Sequence, residues 1–136
     1  MVSSGIVVGW DNPEHTISRW DFVGSWQWDD WYVATRQALD LRAEVSDYPV
    51  VPTIFNFKHS GPAPLPLQLL PHLRAGAEIM DPRDYVVAAH CSGLMRSLIE
   101  IFRTLNPRLG ERVLIAETLD DARTLIALRR EVGLIV

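Results

Sequence analysis

The apolar residues of this chain fall into short continuous runs, which alternate with segments where they recur every three or four positions. The runs cover residues 6–10, 16–22, 50–57, 85–89 and 112–117. Short apolar runs bounded by turn residues are typical of buried β-strands. Only "DNPEH" separates the first two runs, and its Asn12-Pro13 pair is a turn signal. These two strands are therefore predicted to form an antiparallel hairpin.

The segments with the longer period predict amphipathic helices after the second, third, fourth and fifth strands. Their predicted buried faces are Trp31, Ala34, Ala38, Leu41 and Val45 in the first helix; Leu69, Leu70, Leu73 and Ala77 in the second; Leu94, Leu98, Ile101, Phe102 and Leu105 in the third; and Ala122, Leu125 and Ile126 in the last. Strands that alternate with helices favour right-handed crossovers and parallel pairing. We therefore predict one α/β domain, residues 1–136, with a mixed, mostly parallel sheet of about five strands in the order ββαβαβαβα.

Side chains that can accept hydrogen bonds from free helix amides precede three of these helices. They are Ser25 or Asp29, Ser92, and Thr118 with Asp121 three residues later. Gly133 is expected to interrupt the last helix, which leaves Leu134, Ile135 and Val136 as an apolar tail. Such a tail needs cover, either from its own sheet or from an identical subunit in a symmetric homodimer.

Three stretches mark positions within this layout: "GSWQW" at 24–28, Ser60-Gly61 after the third strand, and "ETLDDA" at 117–122. With them the chain resembles the STAS superfamily, and within it the anti-sigma-factor-antagonist-like (SpoIIAA-like) branch. The resemblance implies a non-catalytic regulatory module that binds a protein partner, either a kinase or a sigma-factor regulator. It also implies control by phosphorylation of a serine in the turn after the third strand, and the matching position is Ser60.

Ser60 has a second interpretation, as a turn residue at the end of a strand. Lys58 and His59 stand where the family has an acidic residue, and three spaced prolines follow within 62–66. These prolines favour an extended chain and predict that the second helix begins near 67–70. Lys58 and His59 are expected to face solvent beyond the carboxyl end of a strand, where open α/β sheets bind their ligands.

Four of the five tryptophans, Trp20, Trp26, Trp28 and Trp31, lie within twelve positions. Because one aromatic side chain buries a large area, most of them are expected in the core. The alternative is that Trp26 or Trp28 lines an apolar groove for a protein partner or a lipid-like ligand. A binder of a small apolar or lipid-like molecule is therefore the second function class.

A thiol-dependent enzyme is the third class, because "AAHCSGLMRS" at 88–97 carries Cys91 from a strand into a helix. The segment is similar to the signature loop of cysteine phosphatases. In that family five residues separate the cysteine from the arginine, whereas four separate Cys91 from Arg96 here. One residue fewer turns the arginine by roughly 100° around a helix. We expect Cys91 to be a small core side chain, and no turnover on phosphatase substrates.

Composition narrows these classes further. The net charge of −4, with scattered arginines and a single lysine, offers no basic track for nucleic acid. The four histidines lack metal-site spacing, and no phosphate-binding glycine motif occurs, so no cofactor is expected. No window is apolar enough for a membrane span, and one cysteine excludes an intrachain disulfide. A cytoplasmic protein is expected.

Overall fold

The computed structural model describes residues 5–135, and the side chains of residues 5–133. The elements are β1 (Gly5–Trp10), β2 (Ser18–Gly24), α1 (Trp28–Glu44), β3 (Thr53–Ser60), a 3₁₀ turn (Pro66–Gln68), α2 (Leu69–Ile79), β4 (Val86–Ala89), α3 (Gly93–Leu105), the short α4 (Pro107–Gly110), β5 (Val113–Ala116) and α5 (Leu119–Ile135). Apart from the short α4 and the 3₁₀ turn, this is the predicted order.

The five strands form one mixed sheet in the order β1-β2-β3-β4-β5. β1 runs antiparallel to β2, and the other three pairings are parallel. The predicted fold class is therefore confirmed. Each crossover from β2 to β5 is expected to be right-handed and moves to the next strand in the same direction. The three connecting helices, α1, α2 and α3, therefore lie on the same face of the sheet.

An aromatic layer fills that first face. Trp20 and Phe22 of β2 stack beside Phe55 and Phe57 of β3, with ring centroids 4.3 to 6.1 Å apart. Trp31 of α1 packs edge-on against Trp20 and Phe55. Aromatic pairs in such geometry contribute about 0.5–1.5 kcal/mol each beyond their buried area, so this layer fixes α1 on the sheet.

A smaller apolar cluster lies on the second face, under α5. Ala122 and Ile126 are fully buried there against Ile54, Val87 and other side chains of β3, β4 and β5. Thr118 Oγ1 accepts a hydrogen bond from the Asp121 amide at 3.1 Å, which confirms the predicted cap of this helix. The apolar face of α5 was thus predicted correctly.

The predicted bounds of β3 and the predicted cap of α1 are wrong. β3 covers 53–60 and not 50–57, because its partner β2 runs on to Gly24, which pairs with Ser60. α1 begins at Trp28 because the Asp30 carboxylate accepts from the Gln27 amide at 2.8 Å, so neither Ser25 nor Asp29 is its cap.

The buried face of α3 was predicted correctly only for Leu98 and Phe102. Ser92 caps the helix as expected, but the buried residues are Met95, Leu98, Ile99 and Phe102, while Leu94, Ile101 and Leu105 are exposed. Both sets satisfy helical spacing, so periodicity alone could not choose between them.

The last helix continues through Gly133 to Ile135, so this glycine does not interrupt it. The predicted burial of the apolar tail falls on side chains outside the described part of the chain. None of the helices among residues 5–135 is both long and apolar enough to cross a membrane.

Candidate functional site

The carboxyl ends of the parallel strands border a groove of about 460 Å³. One wall is the segment that follows β3, and the other is the turn from β4 into α3. The lining residues are Phe57, Lys58, Ser60, Gly61, Pro62, Ala63, Pro66, His90, Cys91, Ser92, Leu94, Met95 and Leu98. Residues 61–68, which connect β3 to α2, are called the proline loop below.

Trp26 holds the beginning of this loop. Its side chain is 0% exposed, and its Nε1–H donates to Ser60 Oγ at 2.8 Å. The Ser60 hydroxyl in turn donates to the Gly61 carbonyl at 2.6 Å. Ser60 is the last residue of β3. Its hydroxyl both accepts a hydrogen bond and donates one. Trp26 belongs to the core, and the idea that it lines an open groove is wrong.

Trp28 holds the middle of the loop in the same way. Its Nε1–H donates to the Pro64 carbonyl at 2.6 Å, and its ring stacks on His72 of α2 with centroids 4.0 Å apart. Trp28 is buried, so it anchors the loop and is not a docking surface. Two indole N–H groups thus fix the two ends of residues 60–64.

Gly61 allows the loop to pass close to the end of β2. Its amide donates to the Gly24 carbonyl at 2.9 Å, and a Cβ on Gly61 would lie 3.0 Å from the same oxygen. A larger residue would push the loop away from the sheet, so Ser60-Gly61 has a clear packing role.

The loop carries its own apolar side chains outward. Leu65 has a left-handed backbone with φ 42°, and its side chain is 67% exposed. Leu67 is 74% exposed, and α2 follows at Leu69, within the predicted range. Sequence reasoning missed both leucines, although leucine between prolines in a loop is a signal that could have found them.

The two basic residues before Ser60 are both exposed, as expected. Lys58 lines the groove, and its amide donates to Asn56 Oδ1 at 3.2 Å. His59 is not among the lining residues. The structure therefore brings Lys58 together with Ser60 at the groove and leaves His59 outside it.

On the opposite wall, His90 connects β4 to α5. It has a left-handed backbone with φ 59°, and its Nε2 accepts from the Leu119 amide at 3.0 Å. Its own amide donates to the Glu117 carbonyl at 3.0 Å. These bonds give His90 a structural role at the beginning of α5.

Cys91 is partly buried beside His90. Burial raises the pKa of its thiol to about 11, and the nearby Arg96 offsets only part of this effect. Because the thiolate is the nucleophilic form, a raised pKa works against thiol catalysis at neutral pH. Among the described residues no group of three or more His, Cys, Asp and Glu side chains could hold a metal ion.

Comparison with known proteins adds no identification. The chain matches no protein-family model, and no curated protein matches it.

Proposed function

We propose that the chain is a non-catalytic regulatory module that binds a protein partner through the proline loop and the adjoining rim of the groove. The observation that carries the proposal is an exposed leucine, Leu65, held in a left-handed backbone by an anchored loop. Such a backbone costs a non-glycine residue about 1–2 kcal/mol. The side chain stays 67% exposed among the described residues, so a use outside the chain accounts for it.

The anchors suit the loop to binding. A flexible loop loses conformational freedom when a partner orders it, at about 0.5–1.5 kcal/mol for each immobilised side chain. Hydrogen bonds from Trp26 and Trp28 have already fixed this loop. Leu65, Leu67 and, across the groove, Leu94 then offer a preformed apolar surface, which is typical of the centre of a protein interface.

By the resemblance to anti-sigma-factor antagonists, the partner is a serine kinase or a sigma-factor regulator in the cytoplasm. Ser60 is then the candidate phosphorylation site, with Lys58 and His59 beside it. A phosphate on Ser60 would add charge where its hydroxyl meets the Trp26 indole, so it would release the beginning of the loop. We propose that this release weakens partner binding. The homodimer predicted from the carboxyl-terminal tail is a separate proposal.

The test compares two double variants of exposed leucines. Leu65→Asn with Leu67→Gln removes the loop side chains, and asparagine tolerates the left-handed backbone better than leucine. Leu105→Gln with Leu128→Gln is the matched control, on α3 and α5. Tagged wild type and both variants are used to capture partners from the native host, and each captured protein is then purified and titrated.

We expect a serine kinase or sigma-factor regulator that binds the wild type and the control with equal affinity and the loop variant at least tenfold more weakly. Ser60→Asp should weaken the same complex, and the kinase should phosphorylate the wild type at Ser60. Equal affinity for all three proteins, or no protein that binds the purified wild type, would show that the loop is not a docking surface.

A further inference from the structure

A second cavity lies at the opposite end of the sheet, between α1 and α2. The two helices share one face of the sheet; they meet at His72 of α2, which contacts Trp28 and Tyr32 of α1, and their backbones stay apart elsewhere. The space between them, called the helix cleft below, has a volume of about 100 Å³. Its main apolar lining comes from Trp20, Trp31, Phe55, Ala38, Leu73 and Ala77. An engineered apolar cavity of about 150 Å³ binds benzene, a single aromatic ring.

Small residues on α2 keep the cleft open. Gly76 lies in the middle of this helix, where glycine is unfavourable, and it lines the cleft. A Cβ built on Gly76 would meet no atom within 4 Å. The sequence thus retains space here at a position where a larger side chain would fit and would also favour the helix.

Trp20, a lining residue of the same cleft, carries a buried hydrogen-bond donor without an acceptor. Trp20 is 5% exposed, and its Nε1–H has no hydrogen-bond partner among the described residues. By contrast, the indoles of Trp26 and Trp28 both donate. Buried polar groups are rarely left unpaired, because the lost hydration is not replaced. The unpaired indole points to an acceptor that residues 5–133 do not supply.

The hydroxyl and charged side chains of the lining are already paired, Asp81 among them, which accepts from Arg83 Nη2 at 2.8 Å. The Ser18 and Thr53 hydroxyls bond to each other at 2.7 Å, and Arg42 Nε donates to the Asp84 carboxylate at 2.7 Å. The cleft therefore holds no free charge for an ion, and its walls suit a neutral molecule.

We propose that the helix cleft binds a small, neutral, planar aromatic molecule that carries one hydrogen-bond acceptor. Its ring packs against Trp31 and Phe55, and its acceptor takes the hydrogen bond from Trp20 Nε1–H. This site lies at the amino ends of β2 and β3, away from the proline loop, and does not depend on the proposed partner binding. The sequence analysis predicted a small apolar ligand beside Trp26 or Trp28. The helix cleft is a different place for such a ligand.

Two probes of the same shape test the proposal: acetophenone, which has a carbonyl acceptor, and α-methylstyrene, in which a methylene group replaces that oxygen. Each is titrated into the ¹⁵N-labelled full chain, and the five indole N–H resonances are followed by NMR. Trp20→Phe assigns the resonance of Trp20. We expect acetophenone to shift this resonance downfield with a saturable curve, and to bind at least tenfold more tightly than α-methylstyrene.

Filling the cleft provides the specificity control. Gly76→Leu should abolish acetophenone binding while the fold persists, whereas Ala127→Leu, the same kind of enlargement on the exposed side of α5, should leave binding unchanged. If Gly76→Leu does not fold, Gly76→Ala and Ala38→Leu take its place, and reduced binding is expected for the leucine variant.

Three results would overturn the inference. They are an unshifted Trp20 resonance at millimolar acetophenone, equal affinity for both probes, and undiminished binding by the folded cleft-filling variant. The first excludes a ligand at Trp20, the second excludes the role of its N–H, and the third places the ligand elsewhere.

Discussion

Among single residues, the tryptophans around α1 serve two purposes at once. Trp26 and Trp28 fill the core with their rings, and their N–H groups hold a loop that lies some 34 to 36 residues further along the chain. Tyrosine and tryptophan usually find a partner for their polar atom when they are buried. The buried Nε1–H of Trp20 has no partner among the described residues, and this is the observation that points to a ligand in the helix cleft.

Ser60→Ala is expected to lower the free energy of unfolding by about 1–3 kcal/mol, because it leaves the buried indole N–H of Trp26 without an acceptor. Ser97→Ala, on the exposed face of α3, is the control and should change stability by less than about 0.5 kcal/mol. Urea unfolding measures both. In a Trp26→Phe background the cost of Ser60→Ala should shrink; an unchanged cost there would mean that the bond does not stabilise the loop.

At the scale of the elements, two glycines in helices have opposite surroundings. Gly110 of α4 packs against α3 so closely that a Cβ would lie 2.6 Å from the Arg103 Cα. A Cβ on Gly76 of α2 would meet open space. Nothing in the sequence distinguishes Gly110 from Gly76, so the sequence alone cannot tell the contact from the gap.

Gly110→Ala is therefore expected to destabilise the chain by about 1–3 kcal/mol, since backbone must move to accept the methyl group. Gly76→Ala should stabilise it by about 0.5–1 kcal/mol, because alanine restricts the unfolded chain and favours the helix. Thermal and urea unfolding of the two variants give the signs directly. If both changes had the same sign, the packing of α4 on α3 or the open space at Gly76 would be described wrongly.

For the whole molecule, an ion cluster ties the beginning of the described chain to its last helix. The carboxylate of Asp11, in the β1–β2 turn, is 2% exposed. It accepts from Arg19 Nη1 at 2.6 Å and from Arg123 Nη2 and Nε of α5 at 2.8 and 3.0 Å. Burial alone would raise the pKa of Asp11, but the hydrogen bonds and charges of the two arginines outweigh it and lower this pKa below its ordinary value of 3.8.

A lowered pKa in the folded state means that the unfolded chain takes up a proton first as the pH falls. The stability from this cluster is thus fully present above the ordinary carboxylate range and is lost as the pH falls through and below 3.8. Asp11→Asn should be clearly less stable than the wild type at pH 7, and the difference should narrow toward pH 3. Urea unfolding at each pH tests this, with Asp47→Asn, an exposed position outside the cluster, as the control. A difference that does not vary with pH would exclude the charged cluster as its source.

The amino-acid sequence by itself determined the alternation of strands and helices, because local periodicity reports which face of each element is buried. It was enough for the mixed sheet, for the caps at Ser92 and Thr118, and for the late beginning of α2 after its prolines. The resemblance also directed attention to Ser60, and the groove does lie there.

Tertiary structure decided which face of an element is buried where the sequence pattern allows two. It chose Met95 and Ile99 over Leu94 and Ile101 as the buried side of α3, and it buried Trp26 and Trp28 as anchors. It also formed the helix cleft between α1 and α2, which Trp20 of β2 lines. These features arise from contacts between residues far apart in the chain, and a pattern read over a few turns carries no information about such contacts.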